Sequence, residues 1–405
     1  MLREDFTNIL KSAITGEKYS LSKDINIEEL FDMADKHSVI PLAFEGAFNC
    51  GLKLNDPGMM KLFNGYCSFL SVNERQMFAF NNICEAFNKK GIDFMPLKGC
   101  NMKSLYPKPE LRVMGDADIL IKEEQYDEIE KVMNDIGFKF EFEGDHDYAW
   151  DSHNLHVELH YRLLVNYNSN YEMFFGNGWK LASKSDGHRF CMKPEDEFIY
   201  MFCHFFKHYI NAGIGCRHVV DLWVYLRNHK DMNYIYTEET LSKLGLGDFY
   251  KSVIKLINVW FGDEKADNIT EVMTEFIMNC GSWGNVENMN VVSIIKASDD
   301  SRIKGRIKVV MEKLFLPFDG MKHKYKILGK HPVLLPVMWI HRAYVLLFKK
   351  GRNVSYYTSQ IKNICKGDVD SFGYHLETVG IDLSFIDNKF YKKKMLNKDI
   401  DFDKR

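Results

Sequence analysis

Asp116 and Asp118 stand one residue apart in the stretch Arg112-Val113-Met114-Gly115-Asp116-Ala117-Asp118-Ile119-Leu120-Ile121, and further along Leu155-His156-Val157-Glu158-Leu159-His160 repeats the alternation. Successive side chains of a strand point to opposite faces. Asp116 and Asp118 therefore share one face of the first stretch, while His156, Glu158 and His160 share one face of the second. If the two strands lie side by side, three carboxylates converge. Same-face neighbours along a strand sit roughly 6.5 Å apart at their backbones. Carboxylates converging from them can hold divalent ions about 3.5–4 Å apart, the spacing used in in-line phosphoryl displacement. The chemistry this pattern suits is phosphoryl or nucleotidyl transfer. An Asp-x-Asp pair at a strand edge also serves as a solvated face or a turn cap, so the pair needs support from its surroundings.

That support comes from Ile92-Asp93-Phe94-Met95-Pro96-Leu97-Lys98-Gly99, an apolar strand running into a glycine and then a helical stretch from Cys100 to Tyr106. Backbone N–H groups and a cation at a helix start favour phosphate. His146, His153, His156 and His160 lie near the carboxylates in sequence, but no ligand set with zinc-like spacing stands out. Oxygen-rich sites favour Mg²⁺ or Mn²⁺, and His160 and His156 are expected to hydrogen-bond the carboxylates or line the cleft.

Taken together, Leu97-Lys98-Gly99, Leu105-Tyr106-Pro107, Arg112-x-Met114-Gly115-Asp116-x-Asp118, Gly137-Phe138 and Val157-Glu158-Leu159-His160 resemble the uncharacterised bacterial nucleotidyltransferase family within the DNA polymerase beta superfamily. The likeness covers about Lys89 to Arg162. It implies a small mixed sheet with flanking helices, Mg²⁺ on Asp116 and Asp118, a third acidic position at Glu158, and the Lys98-Gly99 turn near the nucleotide phosphates. Where the superfamily usually has Gly-Ser after its first strand this chain has Lys-Gly, and the gap from Gly99 to Asp116 is longer than usual.

Helices must carry these strands. Residues 1 to about 90 read as helical: one segment at Ile27, Leu30, Phe31 and Ala34, another from Val39 to Phe48, a third from Met59 to Leu70, and an amphipathic helix from about Val72 to Lys90 ended by Gly91. Lys122 to Ile136 reads as a helix capped by Gly137, Phe138 to Phe142 as a strand, Asp145-His146-Asp147 as a polar loop, and Asn154 to Arg162 as the strand bearing Glu158. From Pro194 the period is helical, with Glu195, Asp196 and Glu197 complementing the dipole of the first turn. His204 and His208 lie one turn apart without the Glu of a zinc hydrolase helix between them. In the next helix, Cys216 to Asn228, Arg217 and Asp221 are spaced for an i,i+4 pair. The resemblance places this helical region against the nucleotide, which makes Lys207, His208, Arg217 and Asp221 secondary cleft candidates; surface salt bridges are the other reading. Leu241 to Trp260 and Ile269 to Met278 read as further helices.

The whole chain has 405 residues, 46% hydrophobic and 27% charged, with a net charge of −3, enough for a large core and more than one domain. That charge gives no overall pull toward nucleic acid. A local exception is the basic segment from Arg302 to Lys330, which could meet RNA or a membrane surface and which equally suits a solvated helical face. Nine scattered cysteines without a Cys-x-x-Cys pair indicate reduced thiols. The first residues lack a basic segment followed by an apolar run, and Pro332 to Phe348, expected to pack on the helices, is too short and interrupted to span a membrane. A cytoplasmic protein is expected.

The expectation is an α+β enzyme: an N-terminal helical region (1–88), a nucleotidyltransferase-like core (89–185), a helical domain (186–310) and a C-terminal helical extension (311–405). Asp116, Asp118 and Glu158 would be catalytic and metal-binding, with Lys98, Gly99, Arg112, His160, Lys207 and Arg217 serving the nucleotide. The reaction is transfer of a nucleoside monophosphate from an NTP such as ATP to a small-molecule, protein or RNA acceptor, releasing pyrophosphate. The competing expectation is a catalytically silent nucleotide-binding or interaction module, regulatory or related to toxin–antitoxin pairs.

Overall fold

A computed structural model describes residues 2–144, 146–164, 169–282, 284–285, 288–292, 315–316, 318, 321–322, 325–345 and 366–382. Seven strands form one mixed sheet: β1 (Phe94–Pro96), β2 (Asp116–Ile121), β3 (Lys139–Glu143), β4 (Asp147–Asp151), β5 (His156–His160), β6 (Ala182–Asp186) and β7 (Arg189–Met192), in the order β3-β4-β5-β2-β1-β7-β6. β2 runs parallel to β5 and β1 parallel to β7, and the other neighbours are antiparallel.

The central strand begins at Asp116 and not, as alternation alone suggests, at Arg112. Three of the four residues before it spend their carbonyls elsewhere: Arg112 O accepts from Lys103 at 2.6 Å, Val113 O from Arg217 at 3.0 Å and Met114 O from Gln76 at 3.0 Å. β4 corrects the reading of a loop at Asp147, which instead opens a strand. The β6–β7 hairpin was not anticipated, although Asp186-Gly187 between two short runs is a hairpin signal.

Of the helices, α1 (Leu2–Thr15), α2 (Ile27–Lys36) and α3 (Ile40–Asn49) precede α4 (Met59–Lys90), which is a single helix of 32 residues. Apolar periodicity divides it near Ser71, but nothing there removes an amide donor or forces a turn. Phe80, Ile83 and Phe87 of α4, with Ile129, Val132 and Met133 of α6 (Tyr126–Asp135), cover one face of the sheet, meeting Ala117, Ile119, Ile121, Val157 and Leu159. That leaves Asp118, Glu158 and His160 to the opposite face. There α5 (Gly99–Met102) is a single turn, followed along the chain by α7 (Ser169–Phe175), α8 (Pro194–Asn211), α9 (Cys216–Asn228), α10 (Tyr234–Lys243), α11 (Gly247–Phe261) and α12 (Asn268–Cys280). The stretch read as one helix from Leu241 to Trp260 is thus two, parted around Gly245.

Among the described residues, 2–208 and 214–282 fall in one compact unit, and 209–213 with those from 284 onward fall in another. In the second unit a helix spans Leu335–Tyr344, with Val337, Ile340 and Tyr344 exposed rather than packed away. Most of the basic 302–330 segment lies outside the described residues. No helix among those described is long and apolar enough to cross a membrane, and their cysteines are free thiols.

Candidate active site

The parallel pairing of β2 with β5 sets Asp118 directly opposite Glu158, with Asp116 opposite His156 two residues earlier. His160 reaches back across the pair: its Nε2 lies 2.8 Å from Asp118 Oδ1 and 3.4 Å from Glu158 Oε2. Lys98 Nζ sits 3.2 Å from the other Asp118 oxygen, Oδ2, with the Tyr200 ring of α8 beneath it at 5.6 Å. Asp118 and His160 are buried, Glu158 is half-buried and Asp116 opens to solvent. One ligand atom each from Asp118, Glu158 and His160 lies within 4.8 Å of the others.

Lys98 is where backbone and site chemistry meet. It adopts φ 34° and ψ −102°, a conformation uncommon for any residue but glycine and of a kind that concentrates at functional sites. Its neighbours fix it, because Leu97 N–H donates to Asp118 O at 2.9 Å and Met102 N–H donates to Lys98 O at 2.9 Å. The expectation that a helix dipole strengthens this turn needs correction: α5 has four residues, too few for a sizeable macrodipole. Gly99 has a different reason to be glycine, since a Cβ there would meet Arg112 Nη1 at 2.9 Å.

Burial alone would raise the Asp118 carboxyl's pKa, but the Lys98 charge and the His160 hydrogen bond outweigh it and hold the group well below the usual carboxylate range. Burial disfavours the Lys98 ammonium, and Asp118, Tyr200 and Asp116 more than reverse that. The same contest raises His160: burial opposes its charge, while its hydrogen bonds to Asp118 and Glu158 favour it. Glu158 is lowered chiefly by the His160 hydrogen bond. Asp116 goes the other way: one side of it opens to solvent, but the protein packed on its other side desolvates it and raises its pKa, and Asp118 and Glu158 raise it further, with Lys98 opposing. The cluster therefore carries more negative charge than its own cations balance.

Arg112 is not turned to this cluster. Its Nε and Nη2 donate to the two oxygens of Asp221, each at 3.0 Å, its Nη1 donates to Gly99 O at 3.3 Å, and Tyr106 Oη donates to Asp221 Oδ1 at 2.7 Å. This corrects two expectations together: Arg112 is spent on a structural clamp and is not free to balance phosphate, and Asp221 pairs with Arg112 instead of Arg217. Arg217, displaced from that pair, donates through Nη1 to Val113 O, while its Nε is buried with no hydrogen bond among the described residues. Lys207 lies within electrostatic reach of Lys98, Glu158 and Asp118, and burial followed by the Lys98 charge lowers its pKa. His204 and His208 meet through their Nε2 atoms at 3.0 Å, and the His218 ring lies 5.9 Å from that of His208. Burial, then the Lys98 charge, pushes His208 down to about 4, so these imidazoles are neutral packing near the site. Tyr200 and Asp147 carry no site signal in the sequence, whereas His146 does by its nearness to the carboxylates; the sheet and α8 bring all three here.

No curated protein and no solved structure matches the chain. A family model described as "Uncharacterised nucleotidyltransferase" matches residues 23–262, a span that takes in the whole sheet, Lys98, the three carboxylates and Arg217. With well over half its length matched, and the carboxylates of β2 and β5 inside the match, the chain belongs to this uncharacterised nucleotidyltransferase family.

Proposed function

We propose that the protein is a metal-dependent nucleotidyltransferase that moves a nucleoside monophosphate from an NTP to an acceptor and releases pyrophosphate, with the polymerase beta type of core that the sequence resembles. The observation that carries this reading is the register of Asp118 against Glu158 with Asp116 on the same face. The donors fit a hard divalent cation: all are carboxylate oxygens, and the raised pKa of Asp116 marks negative charge that the protein's own cations leave uncompensated. Asp116, Asp118 and Glu158 would hold Mg²⁺ or Mn²⁺. Bound there, such an ion supplies charge neutralisation for the triphosphate.

The chain's own groups do the rest. Lys98, an ammonium at neutral pH, can shift from Asp118 Oδ2 to a phosphate oxygen with little movement, since its stem is already fixed by the strained turn. Glu158, kept ionised by His160, is able to accept the proton of an attacking hydroxyl. Lys207 and Arg217 approach from α8 and α9 as further phosphate partners. RNA is one acceptor this reading allows, through the basic 302–330 segment.

The test is calorimetric titration of ATP, GTP, CTP and UTP into the full chain with Mg²⁺ or Mn²⁺, repeated on Asp116→Asn/Asp118→Asn. Metal-dependent binding of at least one nucleotide, lost in the double variant, is expected. Binding that persists unchanged in the double variant refutes the assignment of these carboxylates.

A further inference from the structure

On the other side of His160 lies a ligand group that nucleotidyl transfer does not use. Asp147 opens β4 directly opposite His160 of β5, and His146 precedes it. Their backbones are fixed: Tyr161 N–H donates to His146 O at 3.1 Å, and Gly144 N–H donates to Asp147 O at 2.8 Å. The absence of a side chain at Gly144 matters, because a Cβ there would collide with the Asp147 carboxylate. The His146 and His160 rings are 5.2 Å apart, and one ligand atom each from His146, Asp147 and His160 lies within 4.8 Å of the other two.

Two nitrogens in this group have no hydrogen bond among the described residues. Nδ1 of His146 and Nδ1 of His160 are both buried and without one, and Asp147 Oδ2 stands 3.6 Å from the former. His160 is 3% exposed and Asp147 9%, so bulk water does not serve them. His160 Nε2 is already committed to Asp118. An imidazole whose Nε2–H is held by a carboxylate presents a lone pair at Nδ1, which is how metal-binding histidines are commonly oriented.

We propose that His146, Asp147 and His160 form a second cation site, for Zn²⁺ or a similar borderline transition ion, separate from the all-carboxylate site and joined to it through the His160 ring. Two imidazoles and one carboxylate suit zinc and not magnesium. Three protein ligands leave a fourth position for water. A metal at Nδ1 would fix the tautomer that donates to Asp118 and so hold that carboxylate in place. Asp147 and His160 come from neighbouring antiparallel strands and His146 from the bend just before β4, not from one helix or knuckle, so linear spacing gives no sign of them. The inference does not depend on the transfer reading.

The test uses the full chain, stripped with a chelator and titrated with Zn²⁺ by calorimetry in the presence of millimolar Mg²⁺, and with Co²⁺ followed by its d–d absorption. One equivalent of Zn²⁺ is expected, insensitive to Mg²⁺ and releasing protons near neutral pH. His146→Ala and Asp147→Asn should each weaken it by at least about 10-fold, the lower end of what disturbing even a supporting residue does. Asp116→Asn and Glu158→Gln should leave it within a few-fold. His146→Gln, with melting curves for every variant, separates lost ligation from lost folding. Failure of the wild-type chain to bind at micromolar Zn²⁺ overturns the proposal, as does binding that survives His146→Ala but is lost in Glu158→Gln.

Discussion

Arg112 and Asp118 are each 7% exposed, each makes an ion pair near 3 Å, and they lie on one short stretch of chain, yet their surroundings differ in kind. Around Arg112 the account closes: a guanidinium faces a carboxylate through two parallel hydrogen bonds, and Tyr106 and Gly99 O take up further capacity. Around Asp118 it does not. One oxygen meets Lys98 and the other His160, while Asp116 and Glu158 bring the carboxylates to three against those same two cations, and among the described residues nothing bonds the second nitrogen of His160. A closed pair stabilises one conformation. An open cluster has capacity left over for a ligand, and that surplus distinguishes a candidate site from a structural ion pair of equal burial.

The largest expected effect separates the two by readout. Asp118→Ala should reduce nucleotidyl transfer by roughly 10³-fold or more, about 4 kcal/mol of transition-state stabilisation, while far-UV circular dichroism still reports a folded chain. Asp221→Ala should do the reverse, costing about 3–5 kcal/mol of stability because it strands the Arg112 charge in the interior. Most of that loss should return in Arg112→Met/Asp221→Leu, where both charges are gone. Urea midpoints and pyrophosphate release measure the two halves. Full transfer by Asp118→Ala would break the comparison, and loss of nucleotide binding in the Arg112→Met/Asp221→Leu variant would put Arg112 back among the phosphate ligands.

A second contrast lies in the histidines. His37 is fully buried, with Nδ1 accepting from Cys216 N–H at 3.1 Å, and burial followed by the Lys36 charge pushes it down to about 4 from 6.5. The unfolded chain thus takes up this proton before the folded one does, so stability falls as pH drops from 6.5 toward 4, by up to about 3 kcal/mol for this one group. His160 has the opposite sign. Its raised folded pKa gives stability that is complete below 6.5 and is lost as pH rises through the folded value. Unfolding free energies between pH 7.5 and 4.5 should show His37→Gln with a shallower acid-side slope than the wild type. An unchanged slope would mean that His37 is already charged in the fold.

How much of this could be read from the chain alone follows from the range of each interaction. The alternation in Asp116 to Ile121 and in His156 to His160 fixes which side chains share a face, and periodicity marks α9 and most of α8. What escaped depends on partners distant in sequence. Arg112 looks like a phosphate ligand until Asp221 arrives on α9, and Arg217 looks paired to Asp221 until Arg112 takes that place. α4 runs through Ser71 because nothing there breaks the helix and because Asn73 and Gln76, just beyond it, are buried in hydrogen bonds with Lys103 and the Met114 carbonyl, partners distant in sequence. The ligand set of His146, Asp147 and His160 exists only because β4 and β5 lie antiparallel.

The smallest expected effect tests the surplus charge itself. Asp116 carries a raised pKa, from burial and then from Asp118 and Glu158, so the folded state holds its proton more tightly than the unfolded state does. Stability therefore declines as pH rises through the folded pKa, and at neutral pH this carboxylate opposes folding. In chelator, Asp116→Asn should then stabilise the protein, by only about 0.5 kcal/mol because the side chain opens to solvent and water screens the repulsion. With millimolar Mg²⁺ the order should invert, since the wild type gains binding free energy that the variant has lost. Paired melting curves of both proteins, in chelator and in Mg²⁺, give the answer in one experiment. A variant that melts below the wild type in chelator would mean that Asp116 is already balanced, and the distinction between a closed and an open cluster would then rest on Asp118 and Glu158 alone.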